Sequence, residues 1–360
     1  MDVNGINRLY NQLLRASDDA TDTLSYVKQH CNLDFLEVGM LSQLFSPHEK
    51  AYTELTAALT RLSSLAQAAG SQVNRAQIDY QRTDQEAAAA LDAAYPGAKD
   101  PVALNSALTE QREDLQASHP AFADVSEPTR LLRNPEYAIG IEMWSINPMA
   151  DLVSPSAWLR QTIIWVFGHD PFEGWASQFS GDWKGYVHCG NAMGQAGGVA
   201  AAIGRNLLAG VADVPEAWRG NAADGFREFE LTLATAAVSL EQVCQDYNRL
   251  YDQAAEAIKK LYDVAASAIG DLLDMLLVIS GCLAAGTATI ETILGPIAGY
   301  SIAAYYAWQA YDLYKQISTF FGAAEDTIKL ISGSLMTLDA SLSVKDIPEV
   351  QPYAHPAGYR

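Results

Sequence analysis

From Phe226 onward the apolar residues keep a three-four rhythm through Phe229, Leu233, Ala236, Leu240, Val243, Tyr247, Leu250, Ala254, Ala257, Leu261, Val264 and Ala268 without a break. That period belongs to an α-helix, and at ~1.5 Å per residue the helix is about 60 Å long. A stripe of that length cannot stay in water, so the chain must supply long helices to cover it. A second stripe does the same earlier, at Tyr52, Leu55, Leu59, Leu62, Ala66, Ala69, Val73, Ala76 and Tyr80. No segment of any length shows the alternating period of a strand. The expected fold is all-α, an elongated bundle of two long helical hairpins.

The first hairpin pairs the stripe at Ile6, Leu9, Leu13, Ala20, Leu24 and Val27 with the Tyr52–Tyr80 helix, which Ser46 and Pro47 start. "YPGAKDP" ends it, so residues 1–96 form one unit and residues 97–135, rich in proline and charge, a linker with one short helix. Residues 136–345 form the second unit, and 346–360 an extended, proline-bearing tail. Within the second unit, Trp144, Trp158, Trp165, Trp175 and Trp183 lie among prolines, which predicts short helices packed by aromatics. A helix then carries Met193, Ala196, Ala200, Ile203, Leu207 and Val211 to the turn "AWRGNAADGF", residues 217–226, and reverses into the long stripe.

Residues 275–290 and 292–311 contain no charged side chain, and Gly281, Gly286, Gly295 and Gly299 lie within or between these runs, the last two at GxxxG spacing. Two readings stand. With almost no flanking basic residues, an apolar helical hairpin at 272–311 buried by the bundle is favoured. The alternative is a membrane-inserting or pore-forming hairpin.

With 23 Lys+Arg against 43 Asp+Glu, the net charge of −20 repels polyanions, so nucleic acid is not an expected partner. The N-terminus shows no basic start, apolar run or cleavage site, so export needs another route. HExxH, GxSxG, a phosphate-cradling GxxxxGK[ST] and a strand-borne GxGxxG are all lacking, so no enzyme is expected and no cofactor is called for. His169-Asp170 reads as a turn rather than an acid-base pair, and "GNAMGQAGG" follows no strand and has no lysine. The His30-Cys31 and His188-Cys189 dipeptides carry soft and borderline ligands that could meet at a metal. Buried thiols and surface imidazoles are the commoner outcome, so no metal site is assigned.

Two polar features remain. Tyr80 and Asp84 in "YQRTD" stand four apart and share a helix face at the end of the first hairpin. Trp218 and Gly220 lie in the turn of the second. Either alone reads structurally, the tyrosine closing a seam and the glycine supplying a left-handed turn residue.

Taken together, a tyrosine four residues before an acid after one hairpin, and W-x-G in the turn of another, resemble the bipartite export signal of type VII (ESX) secretion substrates. Residues 1–95 resemble the EspC-like excreted proteins, with "YQRTDQEAAAALDAA" as the matching end. Residues 150–330 are similar to the delivery region of large actinobacterial WxG proteins. The resemblance implies a secreted or envelope-associated, non-enzymatic protein exported without a cleaved signal peptide. Its implied partner is ESX machinery driven by an FtsK-like ATPase, with a homo-oligomer or a small WxG/EspC-like chain as further partners. Both halves of the signal lie in one chain here, an arrangement similar to fused PE-PPE proteins, whereas most family members divide them between two. "DWKG" at Trp183–Gly185 also matches W-x-G but is not expected at a hairpin tip. Too little chain follows residue 345 for a toxin domain, which leaves delivery of a separately encoded toxin as a further alternative. The first hairpin is expected to dock along the second, bringing Tyr80 and Asp84 close to an exposed Trp218 and Gly220.

Overall fold

The computed structural model describes residues 2–33, 39–82, 85–95, 97–114, 120–135, 157–179, 181–284 and 302–340. It is an all-α bundle, with no strand among the described residues. Helix α1 spans Val3–Cys31 and α2 spans Phe45–Arg82. Asp2 starts α1 by accepting the N–H groups of Asn4 and Gly5, both at 3.0 Å. Between the two helices a 3-10 turn, Met40–Leu44, buries Met40, Leu41 and Leu44. Helix α2 therefore begins at Phe45 and carries Pro47 inside its first turn, where the missing N–H costs nothing.

Both predicted stripes are largely buried, from Ile6 to Val27 on α1 with Leu24 half-buried, and from Leu55 to Ala76 on α2 with Tyr52 and Tyr80 half-buried at its ends. The short helices α3 (Gln85–Ala93) and α4 (Pro101–Asp114) follow, so the expected linker holds a helix. Two aromatic-rich helices, α5 (Ala157–Phe167) and α6 (Pro171–Gln178), precede the second hairpin. Trp175 stacks on Phe321 with ring centroids 5.7 Å apart, and Phe179 meets the same ring edge-on at 5.4 Å.

The second hairpin is α7 (Trp183–Ala217) and α8 (Asn221–Ala284). With 64 residues, α8 is about 96 Å long, and α9 (Ile302–Thr337) packs against α8 and α2. One contiguous core joins α1, α2, α7, α8 and α9, so the two hairpins share their apolar faces.

Antiparallel pairing of α7 with α8 explains the glycine-rich stretch. A Cβ on Gly197 would stand 2.4 Å from the Cβ of Cys244, and one on Gly204 would stand 2.6 Å from the carbonyl oxygen of Ala234. These glycines let two helices approach closely, and the segment lies inside a helix rather than in a phosphate loop.

At the far end the burial expected for the apolar hairpin holds for one face only: Leu272, Leu276, Ile279, Ala303, Ala307 and Ala310 are buried. Leu277, Val278, Tyr305 and Tyr311 are exposed, and Ile302 and Trp308 keep 66% and 67% of their surface. Among the described residues α8 is the one helix long and apolar enough to cross a membrane, and only 28% of its most apolar window is buried. Among the described residues nothing lies within 4 Å of a Cβ added at Gly281. Gly286, Gly295 and Gly299 lie outside the described residues.

Candidate functional site

The last turn of α2, helix α3, the start of α1 and the α7–α8 turn meet at one end of the bundle. Helix α7 stops at Trp218, whose backbone is extended (φ −143°, ψ 131°) and whose N–H reaches the Val214 carbonyl at 2.7 Å. The Asp2 N–H donates to the Ala217 carbonyl at 2.7 Å, which fixes the start of α1 to the same turn.

Tyr80 and Trp218 are in contact, their rings edge to face with centroids 6.4 Å apart and planes at 76°. Phe226 covers the indole from another side at 5.9 Å. The structure thus joins these two sequence-predicted residues, but it corrects the expected exposure of Trp218. The indole keeps only 5% of its surface, because α2 and the first turn of α8 close over it. Its Nε1–H is buried without a hydrogen-bond partner among the described residues. Asp84 lies outside the described residues.

Gly220 has φ +119°, a conformation open to glycine and rare for other residues. A Cβ there would lie 2.2 Å from Oδ2 of Asp92. That carboxylate accepts the N–H of Asn221 at 3.0 Å and of Ala222 at 3.3 Å, and the Tyr80 hydroxyl donates to its other oxygen at 3.3 Å. Asn221 Nδ2 in turn donates to the Tyr95 carbonyl at 3.0 Å. Asp92, on α3, therefore caps α8 from outside, satisfying two orphan N–H groups and opposing the positive end of the helix dipole. The W-x-G glycine is required by this approach as much as by its backbone angle.

Sequence reasoning missed Asp92. It lies twelve positions after Tyr80, across the break between α2 and α3, so helical spacing does not connect the two. The available signal was its isolation, as the one carboxylate between Glu86 and Asp100 in a run of alanines.

"DWKG" has a separate local role. Asp182 caps α7 by accepting the Gly185 N–H at 2.8 Å, and Trp183 is buried with its indole donating to the Phe179 carbonyl at 3.2 Å. His169-Asp170 is likewise structural: Asp170 caps α6 at Phe172 and pairs with Arg160 at 3.2 Å.

The two His-Cys dipeptides do meet, across α1 and α7. His30 Nδ1 lies 3.0 Å from His188 Nε2, and the Cys31 thiol is 3.6 Å from the Cys189 carbonyl. Burial lowers the pKa of both imidazoles, and the neighbouring His30 lowers that of His188 further. No group of three or more His, Cys, Asp or Glu among the described residues is arranged to hold a metal. Next to the thiols, His48 bridges the Tyr251 hydroxyl (2.9 Å) and the Cys31 carbonyl (3.0 Å), and burial pulls its pKa down to about 4. A last buried group, Glu230 on α8, has both carboxyl oxygens without a hydrogen-bond partner among the described residues. Burial first, and then the nearby Asp213, raise its pKa well above the usual carboxylate range.

Comparison of the chain with known proteins finds no matching family model, no matching curated protein and no matching solved structure.

Proposed function

We propose that this protein is a non-enzymatic substrate of type VII (ESX) secretion that carries both halves of the export signal in one chain and acts in the envelope or outside the cell. The observation that carries this reading is the Tyr80–Trp218 contact, made between residues well over a hundred positions apart, with Gly220 held beside it by Asp92. The leftover apolar faces of the two hairpins bring them together, and the register of that docking sets a tyrosine-bearing helix end against a W-x-G turn. Their joining supports a composite recognition surface for an FtsK-like ATPase. Because Trp218 is buried, the surface that the ATPase reads is built from Tyr80, α3 and the rim of the turn, with the indole as its support. The test is secretion: the full chain reaches the culture supernatant in a strain with the ESX ATPase and stays in the pellet without it. Equal amounts in both supernatants overturn the reading.

A second reading has its own observation. The ends of α8 and α9 that flank residues 285–301 expose Leu277, Val278, Ile302, Tyr305, Trp308 and Tyr311. Aliphatic residues beside Tyr and Trp suit the boundary between hydrocarbon and headgroups. Under this reading the apolar end enters a bilayer after export. Dye leakage from neutral phosphatidylcholine vesicles tests it: leakage that Trp308→Asp abolishes supports insertion, and the absence of both leakage and vesicle binding removes it.

A further inference from the structure

Helices α1 and α7 run antiparallel in a constant register. At one end a Cβ on Gly5 would stand 2.4 Å from the Cβ of Ala217. Further along, Gln12 Nε2 donates to the Asn206 carbonyl at 2.8 Å, and then the Tyr26 hydroxyl donates to Gln195 Oε1 at 3.1 Å. His30 faces His188 at 3.0 Å. In each pair the two residue numbers sum to about 220, and the next register places Cys31 opposite Cys189. Both cysteines are fully buried.

The contacts around the two thiols close a small circuit. Cys31 Sγ lies 3.6 Å from the Cys189 carbonyl, Cys189 Sγ lies 3.9 Å from His48 Nδ1, and His48 Nε2 lies 3.0 Å from the Cys31 carbonyl. Two buried cysteines on different helices, in register and both beside His48, are neighbours, as the two halves of a disulfide must be. The other two thiols are placed differently. Cys244 packs on Gly197, two turns further along α7, and Cys282 lies near the opposite end of α8 from the hairpin turn.

We propose that Cys31 and Cys189 form a disulfide when the chain folds in an oxidising compartment, locking the end of α1, at the bend of the first hairpin, to the start of α7. The reaction is thiol–disulfide exchange with a small-molecule or enzyme disulfide as oxidant. One thiolate attacks the oxidant to form a mixed disulfide and release one thiol. The second thiolate then displaces the remaining oxidant sulfur. Two protein thiols lose two protons and two electrons, one S–S bond forms, and the oxidant is reduced to two thiols. Burial pushes the Cys189 thiol well above its usual pKa, so the folded reduced pair reacts slowly and closure belongs to folding. The occurrence of this bond in the cell rests on the export reading, because cytosolic thiols are kept reduced; its chemistry does not.

The test is refolding of the full denatured chain in a buffer of reduced and oxidised glutathione, followed by alkylation under denaturant and peptide mapping without reduction. The expected result is a Cys31–Cys189 linked peptide, with Cys244 and Cys282 alkylated. The melting temperature rises by on the order of 5 °C over the reduced protein, and that rise is absent in Cys31→Ser and Cys189→Ser. A Cys244→Ser/Cys282→Ser variant, which retains only the pair, gives the same linkage if the wild-type chain refolds poorly. Four alkylated thiols after oxidative refolding, or a linkage through Cys244 or Cys282, overturn the proposal. A bond that forms in vitro while the pair stays reduced in chain recovered from culture supernatant overturns its closure in the cell and leaves the export reading standing.

Discussion

Asp92 caps the helix that begins at Asn221, its Oδ2 accepting the Asn221 N–H at 3.0 Å from a different helix. Every helix start leaves backbone N–H groups without partners, and an acidic or hydroxyl side chain from just before the helix commonly satisfies them. Gly220 has no side chain with which to do this. The chain supplies the carboxylate from α3 instead, which couples the end of the first hairpin to the turn of the second.

Removing that carboxylate tests the coupling. Asp92→Ala is expected to lower the free energy of unfolding by about 1 kcal/mol, measured in urea. Asp92→Asn, which still accepts a hydrogen bond, recovers much of it. No loss in the alanine variant contradicts the capping role.

Gly220→Ala meets two obstacles at once, a φ of +119° and a Cβ 2.2 Å from Asp92 Oδ2. It is expected to cost on the order of 2 kcal/mol. Because part of that cost is the collision, the same substitution in an Asp92→Ala background costs less. Equal costs in both backgrounds would place the whole effect in the backbone angle.

Trp218 and Tyr80 separate folding from recognition. Trp218→Ala empties a buried space between Tyr80 and Phe226 and is expected to cost about 3–5 kcal/mol, so its secretion defect would be ambiguous. Tyr80→Phe keeps the ring contact and loses the hydroxyl bond to Asp92, at a cost of about 1 kcal/mol or less. Thermal melts of the two purified variants check the difference, and Tyr80→Phe is the better probe of export.

Two buried groups set opposite pH dependences. His48 is neutral in the fold, with a pKa of about 4, whereas the unfolded side chain gains a proton below about 6.5. Its contribution is therefore lost as pH falls from about 6.5 to 4, by on the order of 3 kcal/mol. Glu230 is protonated in the fold and ionises in the unfolded chain above about 4.5, so its effect is to lower stability as pH rises from there. Glu230→Gln should flatten the fall in stability that begins above about pH 4.5, and His48→Asn the fall below about pH 6.5. Unchanged slopes in both variants contradict these assignments.

Much of the architecture could be read from spacing. The stripes of α1 and α2 are largely buried where the three-four period puts them, because a helix that cannot hide its apolar face has no stable alternative; on α8 the buried face drifts off the expected positions in its second half, to Ile258, Ala265 and Ile269, and leaves Val264 exposed. The meeting of Tyr80 with Trp218 was legible too, through the leftover apolar faces of the two hairpins. The exposure of Trp218 was misjudged because a turn predicts where a residue sits along the chain, not what later folds over it. Asp92 escaped notice because capping from another helix leaves no local pattern. The glycines of α7 carry a period of close approach, 190, 194, 197 and 204, which becomes interpretable once Tyr251, Asn248, Cys244 and Ala234 are seen opposite them.

The account depends on Tyr80 and Trp218 contacting each other within one chain, and a double-mutant cycle measures that contact. Unfolding free energies of the parent, Tyr80→Ala, Trp218→Ala and the double variant, taken at concentrations where sedimentation shows a monomer, should give a coupling of about 0.5–1.5 kcal/mol. Additive losses, with no coupling in the monomer, would contradict it.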